Sequence, residues 1–167
     1  MLQPDVWRCA SGMDAAGIAA RIPHAGAMCL LHAVRAADAQ QLLAIARIAD
    51  NPLWRGGRLG AACGVEYAAQ AMALHGALTA QAQAQDAAAS PKARAGYLVS
   101  VRNLALQVQR LDDIAADMQV QVRKWDDSGA FTVYDFALAT DEAAPRPLIS
   151  GRAYVMLQAP EAGADKL

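Results

Sequence analysis

One stretch constrains this chain more than any other. From Ala61 to about Ala80 the residues are strong helix formers without proline, and Tyr67, Met72, Leu74 and Leu78 fall around most of the helical circumference. A helix that is apolar on every side has no face to give to water, so other elements must enclose it. The uncharged run continues from Tyr67 to Gln85, but it carries His75 and the amides of Gln70, Gln81, Gln83 and Gln85. Those groups would be stranded in hydrocarbon, which argues against a membrane span.

The enclosing material is legible on both sides. Asp14 and Pro23 bracket a short helix over Met13 to Arg21, since Asp starts helices and the residue before proline is pushed out of the helical region. Met28 to Val34 and Gln41 to Ala49 read as a two-stranded hairpin about the polar hinge 37–40, with helix as a competitor for the alanine-bearing second run. Asn51-Pro52 and Gly56-Gly57 put a loop near 50–60, before the central helix. After it, Ala/Gln-rich residues 81–95 read as a flexible connection. Then come four segments of strand length, Tyr97 to Arg110, Met118 to Trp125, Phe131 to Thr140 and Leu148 to Leu157, divided by short polar turns. Met118-Gln-Val120-Gln-Val122-Arg123 has the period of two expected of a strand with one buried face. The order predicts one α+β domain over 1–167, with a tail from about 158, in which a curved antiparallel sheet of five to six strands wraps the helix as a meander.

Composition removes several functions. Hydrophobic residues make up 55% of the chain, but 41 of the 167 residues are alanine, which buries little area each. Twelve Arg and three Lys are scattered among 16 acids rather than set in runs, and only two Phe are present, so nothing marks a nucleic-acid face. Cys9, Cys29 and Cys63 form no CxxC or Cys/His cluster; reduced thiols and no metal site are expected. Asp5 and Arg8 beside Trp7 do not read as a secretory leader, which points to the cytoplasm.

Two segments carry a resemblance. Ile22-Pro23-His24-Ala-Gly-Ala-Met28-Cys-Leu-Leu31-His32-Ala-Val34 resembles the LPHRxPMLLLDRV opening of the 3-hydroxyacyl-[acyl-carrier-protein] dehydratases, and Gly64-Val65-Glu66-Tyr67-Ala68-Ala69-Gln70-Ala71 is similar to their LEAMAQA helix. A looser likeness runs from Gly96-Tyr97-Leu98-Val99 through Leu111 and Asp117. The subgroup it most resembles serves aryl polyene and related fatty-acid-like pathways. The resemblance implies the hotdog fold, no cofactor, a thioester substrate carried by acyl carrier protein, and a homodimer or hotdog heterodimer. It also exposes a departure. Those dehydratases place a catalytic histidine in a GHFPG loop before the helix, and here Asn51-Pro-Leu-Trp54-Arg55-Gly-Gly-Arg58-Leu-Gly60 has none.

Eliminating water from a 3-hydroxyacyl thioester needs a base for the proton beside the carbonyl, an acid for the departing hydroxyl, and donors for the thioester oxygen. Glu66 is the only acid between Asp50 and Asp86, in an apolar helix where lost hydration favours the protonated form, and it is the first catalytic candidate. The alternative is a structural carboxylate held by an internal partner. Gln70, about 40° further round the helix, is placed to orient that carboxylate or touch substrate. Amides near Cys63 and Gly64, at the helix N-terminus, are candidates for the thioester oxygen. Among the histidines, His24 is the candidate second acid/base, with a structural turn role as the alternative. His75 falls on the opposite side of the helix and His32 is expected to be peripheral. Arg55, Arg58 and Arg102 are candidates for a carrier's phosphopantetheine or acidic helix, or are ordinary solvated charge. Trp54 would line an acyl or aryl tunnel or anchor the core. The function expected is a dehydratase giving the 2-enoyl product, with an acyl thioesterase or a non-catalytic acyl-binding subunit as alternatives.

Overall fold

The computed structural model describes residues 10–49, 51–84, 96–128 and 131–157. Cys9, the connection 85–95 and the tail from 158 lie outside them. The elements, in chain order, are α1 (Ala15–Ala19), β1 (Leu31–Ala37), β2 (Gln41–Ala46), α2 (Gly64–Gln83), β3 (Gly96–Leu106), β4 (Met118–Asp127), β5 (Phe131–Thr140) and β6 (Pro147–Leu157). Asp14 caps α1 by accepting the Gly17 N–H at 2.9 Å.

All six strands form one antiparallel sheet in the order β1-β2-β4-β5-β6-β3. α2 packs on it against β1, β2, β4 and β5, and its buried side chains include Tyr67, Met72, Leu74 and Leu78. This is the helix wrapped by a sheet that the element order implied, and the core lies between the two layers. His75 is fully buried there: one ring nitrogen is 3.0 Å from the Tyr134 hydroxyl and the other 2.9 Å from the Asp38 carbonyl. Burial pushes its pKa down to about 4.

The structure departs from the sequence reading in three places. The last four strands do not form a simple meander, because β3 crosses to the far edge and pairs with β6 while β4 joins β2. The crossing segment is tied under the helix entrance: Ala61 N–H donates to Gln109 O at 2.9 Å, Leu111 N–H to Leu59 O at 2.8 Å, and Leu59 N–H to Asp112 Oδ1 at 2.7 Å. β1 begins three residues later than expected, since Gly26–Met28 forms a 3-10 turn with Gly26 at a φ of 58° that favours glycine. Lastly, α2 proper starts at Gly64 after a 3-10 turn over Ala61–Cys63, and runs to Gln83, three residues past its expected end near Ala80.

Candidate active site

Two segments far apart in sequence meet at the start of α2. Glu66 lies in the first turn of the helix, and His24 follows Pro23 in the loop leading to the Gly26–Met28 turn. His24 Nε2 is 3.0 Å from Glu66 Oε1, with side chains 26% and 32% exposed respectively. Gln70, one turn on and fully buried, fastens the two together. Its Nε2 donates to Glu66 Oε1 at 3.0 Å and to Met28 O at 2.7 Å, while its Oε1 accepts the Leu30 N–H at 2.9 Å. Only an amide of this length offers a donor and an acceptor to both backbone groups at once. The Cys29 thiol, donating to His24 O at 3.1 Å, adds a second tie within the loop.

Glu66 is not sealed in apolar surroundings, as the helix pattern had implied. A third of its side chain faces outward, and Oε2 makes no hydrogen bond among the described residues. His24 Nδ1 is buried without a hydrogen-bond partner, so the contact with Glu66 is the interaction that orients the ring. The arrangement is a histidine–carboxylate pair with one occupied and one open carboxylate oxygen, held on a helix and a bolted loop.

The amides expected to hold a thioester oxygen are otherwise engaged. Cys63 N–H donates to Gly60 O and Gly64 N–H to Ala61 O, both inside the 3-10 turn. Gly64 instead serves close packing: a Cβ there would lie 2.1 Å from Ile149 Cδ1 and 3.1 Å from Leu138 Cδ2. Within the 3-10 turn the N–H of exposed Ala62, four residues before Glu66, has no acceptor among the described residues. The sequence carries no signal for that 3-10 turn, which is what sets this amide free.

The other candidates lie elsewhere. Arg55 and Arg58 exchange backbone hydrogen bonds at 2.9 and 3.1 Å across Gly56-Gly57, both at positive φ, as a tight two-residue hairpin turn requires. Trp54 lines a cavity of about 380 Å³ with Arg47, Ile48, Ile114 and Asp117, whose lining includes neither His24 nor Glu66. His32 is 3.6 Å from Asp117 at that cavity's edge; burial lowers its pKa and Asp117 opposes the shift. Behind the loop, the Asn51 amide donates to the Tyr67 hydroxyl, which in turn donates to Arg47 O at 3.1 Å. Burial pushes the Tyr67 phenol up to about 12, so it stays neutral. Among the described residues no cluster of His, Cys, Asp and Glu is suited to a metal, and no helix is long and apolar enough to cross a membrane.

A family model described as ApeP-like, ApeP dehydratase, matches residues 16–163. No curated protein sequence matches the chain. Among solved structures, the chain is similar to one described as the dehydratase heterocomplex ApeI:P from Xenorhabdus doucetiae, with a TM-score of 0.70 and 16% identity over 88% of this chain and 92% of that one. It is also similar to zebra fish thioesterase superfamily member 2, at a TM-score of 0.54 and 13% identity over 87% and 99% of the two chains. A thioesterase from Haemophilus influenzae gives a TM-score of 0.51 and 11% identity over 78% and 82%. At such identities these likenesses establish the hotdog fold and nothing finer.

Proposed function

Because the chain belongs to the ApeP-like dehydratase family, we propose that it eliminates water from a 3-hydroxyacyl thioester carried by acyl carrier protein, giving the 2-enoyl thioester. The observation that carries this reading is the 3.0 Å contact between His24 Nε2 and Glu66 Oε1. It supplies an acid and a base within reach of adjacent carbons without the loop histidine that is missing from 51–60. Glu66 takes the proton from C2 on its open Oε2, and protonated His24 delivers its Nε2 proton, turned from Glu66 Oε1, to the C3 hydroxyl, which departs as water as the C2–C3 double bond forms. The proton on Glu66 then crosses to His24 Nε2 and resets the pair. The Ala62 N–H, one turn below Glu66, holds the thioester oxygen while charge builds on it. Gln70 keeps the carboxylate in place throughout.

The pair opens outward, and a second subunit is the natural cover. β3 is an edge strand of 11 residues with Leu98, Val99, Leu104 and Leu106 exposed, and Leu106 pairs with Ile149, which packs against Gly64 at the start of α2. A hotdog partner added along that edge, identical or not, would close the site from the side. The similar Xenorhabdus structure is described as a heterocomplex, which favours a non-identical partner. Carrier-linked chemistry and free Cys29 and Cys63 accord with a cytoplasmic setting.

The test is conversion of a 3-hydroxyacyl carrier substrate followed by mass spectrometry. Loss of 18 mass units with the thioester intact is expected, and it should disappear in Glu66→Gln. Release of free carrier thiol instead would make the protein a thioesterase. Full dehydration by Glu66→Gln would remove Glu66 from the chemistry.

A further inference from the structure

The outer face of the sheet, opposite α2, carries a charge pattern that the dehydratase reading leaves unused. Register places Arg123 of β4 opposite Asp135 of β5, Asp135 opposite Arg152 of β6, and Arg152 opposite Arg102 of β3. Directly opposed residues share a face, and strands lie about 4.8 Å apart, so the row spans roughly 14 Å. The inward neighbours Val122, Phe136 and Ala153 are buried, which fixes this row as outward.

Three guanidiniums therefore meet one carboxylate, and that carboxylate is taken. Arg152 holds Asp135 with both ends of its fork, at 2.6 and 3.0 Å. Arg123 makes no hydrogen bond or ion pair among the described residues, and Arg102 has only the ring of Tyr154, 5.1 Å from its guanidinium carbon. Counting Asp126, opposite Val133 at the bulge of β4, still leaves three cations against two anions. Aromatic and apolar side chains stand alongside: Trp125, 65% exposed, lies under Arg152 at 4.8 Å, and Phe131, Met156 and Tyr97 form an exposed row of their own.

Arg, Trp, Tyr and Met together are the composition of protein-binding hot spots, and stacked guanidiniums lose less freedom when a partner arrives. A second copy of this face is the wrong occupant, since it would set six guanidiniums against each other. We infer that the outer face of β4-β5-β6-β3 docks an acidic surface of a different protein, one presenting two carboxylates about 14 Å apart with apolar side chains between them. A partner along the β3 edge would lengthen this face and leave it open.

The test uses the full chain and a synthetic peptide of repeated Glu-Ser-Leu-Ser, in which extended backbone sets successive Glu about 13 Å apart on one face with Leu between. Trp125 fluorescence and calorimetry should show saturable binding below about 1 mM that weakens with added salt. The double substitution Arg102→Glu with Arg123→Glu should weaken it more than tenfold, with Arg102→Gln and Arg123→Gln in between and thermal midpoints unchanged. A Lys-Ser-Leu-Ser peptide should not bind. Absence of binding, equal binding by the Glu variant, or tighter binding to a DNA oligonucleotide or to anionic phospholipid vesicles than to the acidic peptide would overturn the inference.

Discussion

Replacing Gln70 with leucine tests the site most directly, because one side chain holds three partners. Leucine has nearly the same bulk but can neither accept the Leu30 N–H nor donate to Met28 O and Glu66 Oε1. An unmet buried donor costs about 1–3 kcal/mol and an unmet carbonyl somewhat less, so Gln70→Leu should destabilise the fold by about 2–4 kcal/mol. For a chain of this size that corresponds to a fall in Tm of roughly 5–15 °C. Activity should suffer separately. Below the transition, with the protein fully folded, kcat should drop about tenfold or more while KM changes little, because Glu66 loses the donor that fixes it and the loop bearing His24 loses its bolt. Thermal unfolding by circular dichroism and steady-state dehydration at 20 °C measure the two effects independently. A variant whose Tm moves by less than about 2 °C, or whose kcat matches the parent, would refute the assignment of Gln70 as the clamp.

Other outcomes follow from single contacts. His24→Gln should lower dehydration by about two to four orders of magnitude with little change in Tm, the range of a lost acid/base group; wild-type rates in that variant would remove His24 from the chemistry. Gly64→Ala should cost about 1–3 kcal/mol despite alanine's better helix propensity, because the new methyl meets Ile149 and Leu138 in the core; a gain in denaturation midpoint would contradict the packing account. His75 takes its proton near pH 4 when folded and near 6.5 when unfolded, so between those values the unfolded chain holds the extra proton. Stability should be unaffected by this group above pH 6.5 and fall by about 3 kcal/mol as pH drops to 4. Urea titrations at pH 7 and 4.5 should show that slope, and His75→Gln should flatten it whatever it does to the plateau.

Much of this was legible in the sequence, and the reasons are physical. The central helix announced itself because apolar side chains on every side demand enclosure, and β4 because Val120 and Val122 alternate with Gln119 and Gln121 across a half-buried sheet. His24 and Glu66 were found through residue type and resemblance, but their contact was not. Sequence spacing says nothing about a meeting across 42 positions. The meander failed for a similar reason: short polar turns specify antiparallel neighbours only when the connection is a tight turn, and the link from β3 to β4 instead pairs with Leu59 and Ala61 just before α2.

The same logic explains why two of the expected site groups moved. Reading free amides at Cys63 and Gly64 assumed an α-helix from its first residue, where the opening N–H groups lack partners. A 3-10 turn closes one residue sooner, so those two amides find acceptors and the open one shifts back to Ala62. Gly64 then has a different reason to be glycine, namely the 2.1 Å that separates its missing Cβ from Ile149.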